Sequence, residues 1–231
     1  MAETIKHNIN CADLFPVPLV IDNLGESARE LNKRLMDDIH IEMEQGAASD
    51  SRSFISAWQS EAGLEGKYAS FMELKKHIEA CAATYLTHIR YDDIPSVKCA
   101  GLWANCISGA GGHSMYHIHG SGAVIATGVY YPAALIEDGK SNKEDLDDFN
   151  PQTIFRNTGV GGELIIYDPG YVIKRQVIKP SGSHYYEALK EIAPRESLLI
   201  LFPQYLPHSV EPLLDDRLRR YSISFTIEKS L

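Results

Sequence analysis

The sequence predicts a mainly β fold with flanking helices, either an α+β domain or helices packed on the outside of a β-sandwich. Apolar residues repeat at helical spacing through the first third of the chain. From Val97 onward they gather into short strand-like runs separated by Gly, Pro and Asp clusters. Size is the third observation: 231 residues, 44% hydrophobic and 23% charged, suit one large domain whose core needs no disulfide or metal. A single domain is therefore expected over 1–231, with a helical half (1–95) packed on a strand-rich core (96–231).

Each element has its own signal. The run LFPVPLVID (14–22) is apolar and extended, and its two prolines confine it to a sheet edge. Leu24, Ala28, Leu31, Leu35 and Ile39 then form one helical stripe, with Glu26 and Ser27 near its start and Gly46 near its end. A second helix is expected over about Ser70–His88, where Phe71, Leu74, Ile78, Cys81 and Tyr85 share a face. Trp58 reads as a core anchor. Strands are expected at 97–107, 123–131, 162–167, 197–202 and 221–227. The segment 137–152 is a polar, acidic insertion, and Val172–Tyr186 alternates apolar and basic residues as a hairpin or flap.

Composition removes several function classes. Lys plus Arg is 22 against 31 Asp plus Glu, a net charge of −9, and a nucleic-acid backbone needs a basic face. No apolar run approaches the roughly 18 residues of a membrane span. The opening MAETIKHNINCADLF has no apolar h-region, so a cytoplasmic location is expected. Cys11, Cys81, Cys99 and Cys106 form no CxxC and are expected as reduced thiols.

Histidines concentrate in the strand-rich half, three of them in GGHSMYHIHGSG. In an extended segment His117 and His119 point to one side, with Ile118 expected to turn into the core. Two imidazoles suit Zn, Fe, Cu or Ni alike, or simply face solvent. A third ligand is available in His208, just after the apolar strand of LLILFPQYLPHSV. Further on, Arg220, Ser222 and Ser224 share one strand face. An arginine inside a strand of Ile, Phe and Tyr must be paired or exposed. Its planar fork suits a carboxylate, such as the far end of a dicarboxylate cosubstrate; an ordinary ion pair within DDRLRR is the alternative.

Taken together these motifs resemble the iron(II)- and 2-oxoglutarate-dependent dioxygenases. The narrower likeness is to a group of uncharacterised bacterial and phage 2OG-Fe(II) oxygenases. The matching pieces are Trp103-Ala104-Asn105, His117-Ile118-His119, Thr127-Gly128-Val129-Tyr130-Tyr131, and Phe202-Pro203 through His208-Ser209-Val210-Glu211-Pro212. LFPVPL and Trp58-Gln59-Ser60 extend the likeness over nearly the whole chain. The resemblance implies a double-stranded β-helix, a jelly-roll core with helices buttressing one sheet. It implies His117, His119 and His208 as iron(II) ligands, and Arg220 with Ser222 as the grip on the C5 carboxylate of 2-oxoglutarate. Tyr131 matches the position from which a hydroxyl helps that grip, and alternation allows only one of Tyr130 and Tyr131 to face it.

The activity implied is hydroxylation of an unidentified substrate by O₂, with release of succinate and CO₂. A homodimer is left open. Segments 137–161 and 168–186 are the expected lids, and metal binding is expected to weaken below about pH 6.5, where imidazoles protonate. Two features depart from the family pattern. Position 119 is His where most members have Asp or Glu, and Glu196 stands where relatives commonly show Gly. His113 is a spare imidazole. A cupin-like metalloenzyme that does not use 2-oxoglutarate would have no need of Arg220; a non-catalytic jelly-roll binding protein is the other alternative.

Overall fold

The computed structural model describes residues 16–46, 53–89, 96–119, 122–137, 140–141, 149–171 and 187–229. In chain order the strands are β1 (Val20–Asn23), β2 (Phe54–Ile55), β3 (Ala57–Gln59), β4 (Val97–Ser108), β5 (His113–His117), β6 (Val124–Tyr130) and β7 (Leu135–Glu137). They continue as β8 (Lys140–Ser141), β9 (Leu164–Tyr167), β10 (Leu189–Ile192), β11 (Leu198–Pro203), β12 (His208–Val210) and β13 (Leu218–Lys229). The helices are α1 (Arg29–Glu44) and α2 (Ala69–His88). The major sheet runs β1-β11-β6-β13-β4-β3, with β7 paired to β13 and β8 to β7. The minor sheet runs β10-β9-β12-β5-β2. All pairings are antiparallel.

Strand alternation divides the major sheet into a dry face and a working face. On β13, Tyr221, Ile223, Phe225 and Ile227 turn toward the helices, while Arg220, Ser222 and Ser224 turn to the space between the sheets. On β11, Leu199 and Leu201 join the helix-side core and Leu198, Ile200 and Phe202 the inner one. Both predicted helix stripes are buried: Leu31, Leu35 and Ile39 on α1, and Phe71, Leu74, Ile78, Cys81 and Tyr85 on α2. Each large apolar side chain so enclosed contributes on the order of 1.5–3 kcal/mol. The helices therefore pack on the outside of a β-sandwich, one of the two arrangements expected.

A buried polar knot fixes α1 against the sheet. Asn32 accepts from the Tyr130 hydroxyl and donates to Ser197 Oγ (2.9 Å) and Glu196 Oε1 (3.2 Å). Ser197 Oγ in turn donates to the Gly25 carbonyl at 3.1 Å. Ser197 takes a left-handed φ of 66°, a conformation costly for a side-chain-bearing residue. The unusual Glu196 is thus part of a turn tied to α1.

Two expectations need adjustment. The apolar N-terminal run becomes strand only from Val20, after both prolines, although it does form the sheet edge. Besides the expected edge strand, the first 95 residues supply two short strands, β2 and β3. Between β2 and β3, Ser56 (φ 50°) carries the chain from the minor to the major sheet in one residue. Trp58 packs against the helix-side core. Cys81, Cys99 and Cys106 are free and buried, and burial pushes the Cys81 and Cys99 thiols up to about 12. Cys11, His184 and the 172–186 flap lie outside the described residues, as does most of the 137–152 insertion.

Gly128, in the middle of β6, shows why its motif carries a glycine. A Cβ there would stand 2.3 Å from the Ile200 carbonyl and 2.4 Å from the Phe225 ring. Gly128→Ala should therefore cost at least about 1–3 kcal/mol of stability, the usual penalty for overpacking a filled core. Urea unfolding checks this, and an unchanged midpoint would mean the two strands can separate freely at that point.

Candidate metal centre and anion pocket

The minor sheet builds the imidazole cluster. On β12, His208 lies directly opposite His117 of β5, and two residues later Val210 lies opposite Ser114. Three steps on β5 thus match two on β12, which is a β-bulge. The extra residue lets Ser114 and His117 both line the inter-sheet cavity while Met115 and Tyr116 stay exposed. β5 ends at His117, and His119 lies beyond it, its backbone N–H bonded to the Gln204 carbonyl at 3.2 Å. Ring centroids are 4.3 Å apart for His117–His208, 5.2 Å for His117–His119 and 5.1 Å for His119–His208. One ring nitrogen from each lies within 4.8 Å of the others.

Backbone carbonyls set the tautomers. His117 Nδ1–H donates to the Met115 carbonyl (2.8 Å) and His208 Nδ1–H to the Leu206 carbonyl (2.9 Å). A carbonyl only accepts, so the proton sits on Nδ1 and the Nε2 lone pair is left for a metal. Burial, helped by the neighbouring His117, depresses His119 to about 4 and His208 to about 3. Both are therefore neutral, the state a metal needs. Three imidazole nitrogen donors with no thiolate fit a borderline divalent ion such as iron(II). His113 makes the same kind of tie, to the Gly111 carbonyl at 2.8 Å, but stands outside the cluster.

Arg220 lies across the same cavity, 2% exposed. Its Nε donates to the Gly162 carbonyl (2.8 Å), one terminal nitrogen to Ser222 Oγ (3.0 Å) and the other to the Tyr131 hydroxyl (2.8 Å). Its guanidinium also lies 5.0 Å from the Tyr131 ring centroid. No carboxylate pairs with it among the described residues. Three of its five N–H groups are used, and two remain. Burial pushes the Tyr131 phenol up, so it stays protonated. Tyr131 and Ser222 accept from Arg220 and keep their own hydroxyl protons to donate. The free Arg220 N–H groups and the Ser222 and Tyr131 hydroxyls thus form a set of donors, the complement of a carboxylate.

Several expectations are refined here. Tyr131 faces Arg220, whereas Tyr130 turns to α1 and Asn32. Ile118 does not enter the core: it is 55% exposed and lines the cavity mouth. Residues 149–161, expected in a lid, are tied down through Ile154, whose carbonyl accepts from Ala193, and Val160, whose carbonyl accepts from Leu214. The Gly162 carbonyl was not readable from sequence, though the GVGG string is its trace. Gly161 and Gly162 have φ of 82° and 87°, and a Cβ on Gly161 would sit 1.9 Å from the Pro212 carbonyl. Glycine there lets the turn deliver a backbone oxygen to Arg220. The cavity of about 510 Å³ also exposes Gln59, Glu61, Trp103 and Asn105 beside the histidines.

The low values for His119 and His208 replace the expected weakening below pH 6.5 with a later onset for those two ligands. At about pH 5.5 an ordinary imidazole is mostly protonated, and three would release nearly three protons on binding metal. Here the cluster should release no more than about one, as read by calorimetry in two buffers of different ionisation enthalpy. Release near three would place the imidazoles in a solvent-like setting.

The comparisons agree with this geometry. Residues 101–226 match the family described as "Putative 2OG-Fe(II) oxygenase". No curated protein matches the sequence. Among solved structures, a prolyl-4-hydroxylase from Pseudomonas putida aligns with TM-score 0.60 and 11% identity over 93% of this chain and 94% of that one. A prolyl hydroxylase from Trichoplax adhaerens, in complex with a hypoxia inducible factor oxygen degradation domain peptide fragment, aligns with TM-score 0.55 and 17% identity over 91% and 83%. The epimerase SnoN from nogalamycin biosynthesis, in complex with Fe3+, alpha ketoglutarate and nogalamycin RO, aligns with TM-score 0.60 and 10% identity over 92% and 79%. At such identities the likeness shows the fold, a double-stranded β-helix. The sequence match over residues 101–226 of 231 shows the family: the chain belongs to the 2OG-Fe(II) oxygenases, whose cofactors are iron(II) and 2-oxoglutarate.

Proposed function

We propose that the protein is an iron(II)- and 2-oxoglutarate-dependent dioxygenase that hydroxylates a substrate with release of succinate and CO₂. The observation that carries this reading is the buried Arg220, held by three neutral acceptors with no carboxylate partner among the described residues, and facing the imidazole cluster across one cavity. His117 and His208 would hold iron through Nε2, with His119 as the third imidazole ligand. Bound there, iron with 2-oxoglutarate supplies the oxidising chemistry that activates O₂. Arg220, Ser222 and Tyr131 would bind the C5 carboxylate and so orient the cosubstrate. Trp103, Val129, Leu164 and Val210 line the cavity and limit the water within it. An Arg220 held for a carboxylate has no purpose in a metalloenzyme that does without 2-oxoglutarate.

Protein supplied with iron(II), ascorbate and 2-oxoglutarate should form succinate slowly even without a prime substrate. Iron-bound protein that yields none would overturn the reading. Arg220→Ala should weaken 2-oxoglutarate binding about 30- to several-thousand-fold, the cost of losing one side of a buried charged hydrogen bond. Iron content should hardly change, and Arg220→Lys should fall between the two, since it restores charge without the fork. Equal affinity in parent and Arg220→Ala would place the carboxylate elsewhere.

Metal analysis of two histidine variants tests the ligand set. His119→Ala should lose iron at neutral pH and His113→Ala should retain it. The reverse pattern would move the third ligand to His113.

A further inference from the structure

The cavity wall near His119 carries side chains that the reading above leaves without a role. Gln59 pairs with Asn105 across β3 and β4, and the pairing continues past the strand end, with the Ser60 N–H donating to the Ala104 carbonyl at 2.9 Å. Just beyond, the exposed Glu61 lines the same cavity as Trp103. The Glu61 carboxylate makes no hydrogen bond or ion pair among the described residues. Trp103 is half-buried, and its ring centroid is 6.4 Å from that of His119. Apart from the three histidines and Arg220, Glu61 is the one ionisable side chain in the described wall.

A carboxylate and an indole lining one cavity can each attract a cation, the first by charge and the second by the ring's negative face. It repels anions, as does the protein's net charge of −9. The neighbouring lining is neutral or apolar. Gln59 donates to Asn105 Oδ1 (2.8 Å) and Asn105 to Ser224 Oγ (3.0 Å), while Ile118 stands exposed between two ligands. We infer that Glu61 and Trp103 bind an ammonium or guanidinium group of the prime substrate, so that the apolar stem carrying it lies along Ile118 toward the imidazole cluster. This deepens the oxygenase reading and rests on it for the word substrate, but the cation site itself can be measured without turnover.

Ligand-observed NMR with benzylamine, benzyl alcohol and benzoate, in the presence of 2-oxoglutarate to occupy Arg220, tests it. Benzylamine should bind roughly tenfold more tightly than benzyl alcohol, the combined reach of an exposed cation–π contact and an exposed ion pair. Benzoate should bind more weakly than either. Glu61→Gln should erase the amine preference, and Trp103→Phe should weaken amine binding while keeping an aromatic wall. No benzylamine binding up to about 10 mM, a preference for benzoate, or an amine preference that survives Glu61→Gln would each overturn the inference; the 10 mM limit lies well beyond the millimolar Kd worth about −4 kcal/mol. Amine selectivity in a protein that never forms succinate would instead leave the cation site standing and remove the oxygenase.

Discussion

A guanidinium enclosed by protein, with three neutral acceptors and no counter-charge among the described residues, is the constraint around which the inter-sheet space is arranged. Burying such a charge is tolerable only if hydrogen bonds replace water and an anion can reach it. The acceptors come from three places. Ser222 lies two residues along the same strand, Tyr131 follows β6, and Gly162 belongs to a glycine turn pressed against Pro212. The helix side of the major sheet supports the same point, because the residues alternating with Arg220 and Ser222 are the apolar ones that anchor α1 and α2. Packing on one face therefore fixes the chemistry on the other.

The imidazole cluster complements this arrangement. Neutral imidazole ligands would leave the charge of a divalent ion undiminished, and Arg220 adds another positive charge across the cavity. Both favour a dianion between them, with Coulomb forces strengthened where water is scarce. A carboxylate in place of His119 would lessen that pull. A three-imidazole centre would thus gain hold on an anionic cosubstrate at some cost in hold on the metal itself.

Much of this was legible in the sequence, for reasons that differ residue by residue. The stripes of α1 and α2 are local periodicities, and packing only confirmed them. On β13 the strand is long and regular, so Arg220, Ser222 and Ser224 fall on one face by counting. His117 and His119 do come together, but not through alternation alone: the strand stops at His117, and a bulge sets its direction. Ile118 was misplaced for the same cause, since alternation cannot hold where the strand ends. Choosing Tyr131 over Tyr130 depends on register with β11, which is a tertiary property. The Gly162 oxygen was hidden because a backbone atom carries no residue identity.

The bulge between Ser114 and His117 also bears on how this sequence can change over time. A deletion of one residue there would restore regular pairing and leave the sheet intact, yet turn either His117 or Ser114 away from the cavity. It would produce a well-folded descendant with a broken centre, a single indel dividing oxygenase from inert scaffold.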